Sequence, residues 1–231
     1  FIDLRKLTQG VHGKTDNSTH LCDPSALGTA LDNLGQAKKS IRLDTSIAPA
    51  WALDRLKKAG AIISVGSDPC QLAKAKKNAL QINGMRQAHL RDGVAMTRFL
   101  AWLDKQKHDH KLTELNVANK LEAFRRYNDY YKGPSFTTIS GSGPNGAIVH
   151  YRVTPESDRR LGEGELFLID SGGQYLDGTT DVTRTIIIGN PTIEMRERWT
   201  LVLKGHIALA TARFPPGTSG AQLDILARHS L

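Results

Sequence analysis

Apolar residues recur along the chain with two different periods, and the switch between them divides it. Short apolar runs at 1–4, 40–43 and 61–65 read as strands, and they alternate with segments at 26–34 and 50–59 whose apolar residues fall at helical spacing. Pro24 and Ser25 open the first helix and Gly35 stands at its stop. Pro49 opens the second, with Trp51, Leu53 and Leu56 on its apolar side and Gly60 after it. This order predicts a small βαβαβ layer over residues 1–68, closed by the turn-forming Gly66-Ser67-Asp68-Pro69. Beyond it, Leu80, Ile82, Met85, Leu90, Val94, Met96, Phe99, Leu100 and Leu103 predict one long helix, or two end to end, over 71–107. A second amphipathic helix follows at 114–127, with Thr113 placed to cap its first turn. Strand patterns then occupy 136–139, 147–153, 166–169 and 182–188. Helices over 193–214 and 221–231 finish the chain.

With 231 residues, 39% hydrophobic and 23% charged, the chain can bury a core in one large or two small domains, here 1–68 and 69–231. No apolar stretch approaches the roughly 20 residues of a membrane helix. The two cysteines, Cys22 and Cys70, stand far apart with no second Cys or His at zinc-finger spacing. They read as structural thiols in a reducing compartment, which predicts a cytoplasmic protein. The net charge of +8 comes from scattered Lys and Arg without interleaved aromatics, a solvated basic face and not a nucleic-acid surface. Against it stands an acidic island: residues 161–181 hold Glu163, Glu165, Asp170, Asp177 and Asp181 and no Lys or Arg. Such a concentration asks for a cation.

The strand 166–169 runs directly into Asp170, and Asp181 enters the strand 182–188 eleven residues later, with Asp177-Gly178 as a turn between them. Paired strands lie about 4.8 Å apart, so both carboxylates can point into one small volume. Two bare carboxylates that close repel each other, and a pair of divalent metal ions removes the conflict. The same spacing also suits two turn-capping acids on a solvated hairpin. Asp177 reads as a turn residue, and Glu163 and Glu165 as flanking a loop. His150, on the expected strand 147–153, suits either a hydrogen-bonded core residue or a catalytic group. The glycine-rich run at 141–146 lacks a Gly-Lys-Ser/Thr ending and leads to a strand, which argues against a phosphate loop. His206 reads as structural.

The run Gly133-Pro134-Ser135-Phe136, the segment Gly141-Ser142-Gly143-Pro144-Asn145-Gly146 and Ala147-Ile148-Val149-His150-Tyr151 together resemble the aminopeptidase P (Xaa-Pro aminopeptidase) family. So do Ile169-Asp170-Ser171-Gly172-Gly173-Gln174-Tyr175 and Asp177-Gly178-Thr179-Thr180-Asp181-Val182-Thr183-Arg184-Thr185. His89-Leu90-Arg91-Asp92-Gly93, Phe99-Leu100-Ala101-Trp102-Leu103 and Lys204-Gly205-His206-Ile207-Ala208 fit as well. The resemblance covers the chain from about Cys70 onward. It implies an α/β protein in which the small middle domain precedes an incomplete catalytic domain of the creatinase-like "pita-bread" fold. It also implies two divalent metal ions, manganese as the usual pair, and hydrolytic removal of an N-terminal residue that precedes proline. Asp170 would be a terminal ligand of one ion, Asp181 would bridge both, and His150 would hydrogen-bond beside the scissile bond and assist proton movement. Peptides with proline in second position are then the partners, and a homodimer the expected assembly.

The family pattern continues with a Gly-His-Gly histidine ligand, a substrate histidine and two glutamate ligands, none of which precedes Leu231. The chain therefore reads as a segment cut at both ends, inactive by itself. Two other readings remain: a non-catalytic pita-bread module that binds protein or RNA, and a prolidase-type dipeptidase. A chain ending at Leu231 would leave sheet edges and apolar helix faces uncovered, so self-association is the expected outcome of light scattering.

Overall fold

A parallel strand pair organises the first part of the chain. β1 (Ser40–Leu43) pairs with β2 (Ile62–Val65) in the register Ser40↔Ile62 to Leu43↔Val65. Helix α1 (Leu27–Gln36) precedes β1, and α2 (Ala50–Ala59) makes the crossover between the strands. The computed structural model describes residues 1–6, 19–106 and 111–231, which group into two units, Phe1–Lys77 and Asn78–Leu231. The expected end of the long helix at 107 lies outside the described residues.

Three readings of this first unit are corrected. Residues 1–4 form no strand: a short 3-10 turn, Leu4–Lys6, follows instead, so among the described residues the order up to β2 is αβαβ in place of βαβαβ. Asp3 interrupts the apolar run and its carboxylate is taken up locally by the Arg5 guanidinium, at 2.9 and 3.0 Å. Ile2 N–H donates to the Cys22 carbonyl at 2.8 Å, which is a single bond and not a ladder. Gly35 does not stop α1. It lies buried inside the helix, where a Cβ would stand 2.3 Å from the Ala59 Cβ, so the residue serves a close helix crossing. Gly60 does act as the stop of α2, at φ +93°. Cys22 is half-buried and Cys70 exposed, so Cys70 is not the interior thiol expected.

The second unit opens with long helices. α3 (Pro69–Ala75) belongs to the first unit, and α4 (Ala79–Gln106) follows after a break, the two-helix form of the sequence pattern. The buried face of α4 is Gly84, Ala88, Asp92, Ala95, Met96, Phe99 and Leu103, while Leu80, Leu90 and Val94 are exposed. Small residues, invisible to an apolar count, set the first half of that face because the chain near Asp177 packs close: a Cβ on Gly84 would lie 2.3 Å from the Asp177 carbonyl oxygen. α5 (Glu114–Arg126) starts at Thr113, whose hydroxyl accepts from Asn116 N–H while the Asn116 side chain accepts from Thr113 N–H. It buries Glu114, Val117, Leu121 and Arg125 on one face.

Against α4 and α5 lies an antiparallel sheet of order β4-β5-β7, formed by β4 (Ile139–Ser142), β5 (Glu165–Ser171) and β7 (Val182–Ile188). A smaller pair joins β3 (Tyr131–Pro134) to β6 (Gly173–Tyr175). Along β5, Phe167, Ile169 and Ser171 are buried, and Phe167 and Ile169 join Met96, Phe99, Leu103, Val117 and Leu121 in one core. Alternation therefore puts Leu166, Leu168 and Asp170 on the opposite face. Helices α6 (Ile193–Ala210) and α7 (Gly220–Arg228) complete the unit, α7 opening on a Ser219–Gln222 capping box.

Within this core a charge pair is enclosed. The Arg125 guanidinium donates to both Asp92 oxygens at 2.7 and 3.0 Å, both side chains being nearly inaccessible. The Tyr175 hydroxyl donates to Asp92 Oδ1 at 2.8 Å, and burial, with Asp92 beside it, holds that phenol well above its ordinary range. Replacing Asp92 by Ala would strand the buried guanidinium. The expected loss is about 3–5 kcal/mol, measured as a lower urea midpoint.

Candidate metal centre

Asp170 and Asp181 are brought together by a hairpin whose backbone is closely interlocked. β5 and β7 pair from Glu165↔Ile188 to Ser171↔Val182, with Asp170 opposite Thr183, so Asp181 enters β7 beside the end of β5. Between them the chain folds back through β6. Thr180 N–H donates to the Gly173 carbonyl at 2.9 Å, Gly173 N–H donates to Thr180 Oγ1 at 2.9 Å, and Tyr175 N–H donates to the Gly178 carbonyl at 2.8 Å. Ser135 Oγ donates to the Thr180 carbonyl at 2.9 Å, and Ser135 N–H to the Gly172 carbonyl at 3.1 Å. Asp177 is more than a turn residue. Its carboxylate is paired with the Arg91 guanidinium, which also lies 5.2 and 5.3 Å from the Tyr130 and Tyr175 ring centres. This latch ties the hairpin to α4.

His150 arrives from another direction. The strand expected over 147–153 is absent: a 3-10 turn, Gly143–Ala147, is followed by reverse turns, with Ile148 N–H donating to Asn145 O and Tyr151 N–H to Ile148 O. Ile148 and Val149 are exposed and have no strand beside them, whereas β4 takes the place next to β5. The strand expected over 136–139 is likewise displaced to Ile139–Ser142. His150 itself has φ +56°, a left-handed conformation costing on the order of 1–3 kcal/mol for a residue other than glycine. Such a backbone persists only where its surroundings hold it.

Around it the chain is bonded to Glu114, at the first turn of α5 and completely buried. Its Oε1 accepts from Ser142 N–H at 2.7 Å, both oxygens accept from Asn145 Nδ2 at 3.0 and 3.1 Å, and Oε2 accepts from the Tyr151 hydroxyl at 3.0 Å. Burial holds the Tyr151 phenol above its ordinary range, so it remains a donor at neutral pH. The sequence reading passed over Glu114. The signal was present in the helical phase, since Glu114, Val117, Leu121 and Arg125 fall on one face and two of the four carry charge. Glu165 is likewise structural, pairing with Arg159 at 2.7 Å and accepting from Ser142 Oγ at 3.1 Å.

His150, Asp170 and Asp181 line one open cavity of about 330 Å³, together with Phe136, Thr137, Ile139 and Arg152. Asp170 Oδ1 is buried and has no hydrogen-bond partner among the described residues. A buried acceptor left unpaired is costly, and a cation in the cavity would satisfy it. Two carboxylates are suitable oxygen donors for a hard divalent ion. No three His, Cys, Asp or Glu side chains among the described residues form a cluster able to hold a metal. His206 is exposed on α6 and lines a separate groove along β7 that also reaches Asp181.

The profile of metallopeptidase family M24 matches residues 83–231, and the chain belongs to that family. The probable Xaa-Pro aminopeptidase P of Chaetomium globosum is 43% identical over 241 residues, covering 100% of this chain and 39% of that protein. Aminopeptidase P2 of Arabidopsis thaliana is 51% identical over 164 residues, covering 71% of this chain and 23% of that protein. Among solved structures, the X-prolyl aminopeptidase of Caenorhabditis elegans, described as a cytosolic enzyme with a di-nuclear active site, superposes with a TM-score of 0.89 at 35% identity. That match covers 100% of this chain and 38% of the other. The chain thus spans roughly a quarter to two fifths of the length of these relatives. The fold is the mixed α/β pita-bread type that the resemblance implied.

A methyl group at Gly172 would stand 1.9 Å from the Thr180 carbonyl oxygen and 2.2 Å from Ser135 Oγ. Gly172→Ala must therefore displace the backbone that leads into Asp181. A stability loss on the order of 1–3 kcal/mol is expected, read from thermal unfolding.

Proposed function

We propose that a protein containing this chain is a Xaa-Pro aminopeptidase, a metallopeptidase removing the N-terminal residue that precedes proline. Residues 1–68 would form its middle α/β domain and residues 69–231 the first part of its catalytic domain. The observation that carries the reading is the shared cavity, which His150 lines together with two carboxylates and in which one buried oxygen of Asp170 lacks a partner among the described residues. The names of the relatives and the di-nuclear site of the C. elegans enzyme support it.

Asp170 and Asp181 would hold two divalent ions, manganese by preference, with Asp181 as the bridging carboxylate. When bound, such a pair lowers the pKa of a coordinated water and polarises the scissile carbonyl. Asp170 is suited to its part because the central strand of the sheet fixes its backbone on both sides. His150 would donate from a ring N–H to the substrate beside the scissile bond, where charge gathers in the transition state. The bond preceding proline is a tertiary amide with no N–H to donate, so the site must recognise it by shape and by the free N-terminus. A cytoplasmic location and a homodimer complete the proposal. No helix among the described residues is long and apolar enough to cross a membrane.

The test is manganese-dependent release of arginine from Arg-Pro-Pro by the full-length protein. Absence of release with metal present, alongside salt-sensitive RNA binding, would favour the non-catalytic reading. Strong preference for Ala-Pro over the tripeptide would favour a prolidase. Asp170→Asn and Asp181→Asn are each expected to lower retained manganese, measured by elemental analysis after gel filtration. His150→Asn, which tolerates the left-handed backbone, is expected to lower kcat by about 10²–10⁴-fold.

A further inference from the structure

We infer that Glu114 is a positioning residue for His150, acting through the segment of residues 142–151; the inference rests on the functional reading of His150 above. The carboxylate touches neither the cavity lining nor either candidate metal ligand among the contacts described, yet its side-chain bonds all go to one stretch of chain. Ser142 N–H, Asn145 Nδ2 and the Tyr151 hydroxyl converge on its two oxygens at 2.7–3.1 Å. A further tie runs from Ser140 Oγ to the Glu114 carbonyl at 2.8 Å. Asn145 Nδ2 also lies 2.9 Å from the Tyr151 hydroxyl, so two of the anchors are joined to each other.

These anchors bracket His150. Ser142 ends β4, Asn145 sits in the 3-10 turn, and Tyr151 is the next residue after the histidine. The left-handed backbone of His150 thus lies between a half-buried asparagine and a buried tyrosine, both donating to Glu114. No Lys or Arg forms an ion pair with Glu114 among the described residues, so its charge is answered by hydrogen bonds alone. A fully buried carboxylate is an expensive way to fill space. What it provides that an apolar residue could not is an acceptor able to gather donors from three points of one chain segment. Charge-assisted bonds of this kind are short and directional, which suits the fixing of a side chain's approach.

The same arrangement separates His150 from the metal-ligating acids. Asp170 is held by Thr183 of β7 and Ile139 of β4, and Asp181 follows the Thr180–Gly173 bonds; Glu114 touches this sheet only at Ser140 and Ser142, toward the other end of β4 from Ile139. Loss of Glu114 should therefore loosen the histidine and leave the acids in place.

The experiment uses the full-length protein with ring-¹³C-labelled histidine, its spectra recorded after manganese is exchanged for diamagnetic zinc, the His150 signal being assigned by its loss in His150→Asn. In Glu114→Ala that signal should shift or broaden, manganese content should stay unchanged, and kcat for Arg-Pro-Pro should fall on the order of 10–100-fold with KM nearly constant. Glu114→Gln should recover most of kcat, since its carbonyl still accepts from Ser142 and Asn145 while the Tyr151 hydroxyl can turn to accept. Glu122→Ala, on the exposed side of α5, serves as the control and should change neither readout. If Glu114→Ala does not fold, Asn145→Ala and Tyr151→Phe each remove one arm and should move the His150 signal in the same direction. A His150 signal unmoved by these variants overturns the inference, as does metal loss in step with kcat. Failure of the wild type to release arginine would count against the functional reading alone, because the histidine signal is read without turnover.

Discussion

The pairing of β5 with β7 is the constraint on which the rest of this structure depends. It is the longest ladder in the described chain, with seven residues on each strand, and β5 is paired on its other edge as well. Strand alternation then makes one piece of backbone serve two purposes. Phe167 and Ile169 close the core against α4 and α5, while Asp170 faces the cavity from the intervening position. A slip of one residue would exchange the two sets, burying the carboxylate and exposing the core. The apolar core therefore enforces the register that presents the acid, without any contact to the acid itself.

Around this ladder the other pieces are fixed by polar contacts that bridge distant parts of the sequence. Asp92 and Arg125 join α4 to α5, Tyr175 adds the end of β6 to the pair, and Arg91 holds the hairpin through Asp177. Glu114 gathers the segment that carries His150. The buried Asp92–Arg125 pair and the Glu114 carboxylate are each matched by hydrogen bonds, as the cost of burial requires. The result is a cavity lined from two supports, one on sheet backbone and one on a turn that meets the sheet at the end of β4.

What the sequence made legible follows the same division. Asp170 and Asp181 could be placed because strand and turn signals are local: an apolar run ends in one acid, a turn dipeptide follows, and a second run begins at the other. The α5 cap at Thr113 and the α2 stop at Gly60 were local signals too. His150 was singled out by motif while its backbone was misread, because Ile148 and Val149 mimic a strand whose neighbouring position β4 already occupies. The face of α4 was misplaced for a related reason. Hydrophobicity marks Leu80 and Leu90, but the helix turns toward Gly84 and Ala88, where close backbone approach decides the packing. Glu114 escaped because its partners are 28 to 37 residues away, a separation that periodicity does not register.

The double duty of β5 has an evolutionary side. A strand held on both edges, with a core on one face, leaves little room to vary without cost to folding, so the acid at its end is expected to drift slowly among relatives. Residues 147–153 are under no such tie along most of their length: Ile148, Val149 and Arg152 are exposed, and they border the same cavity floor or stand beside its histidine. Variation would then accumulate on these exposed turn positions, while the cavity's carboxylate stays anchored in the sheet.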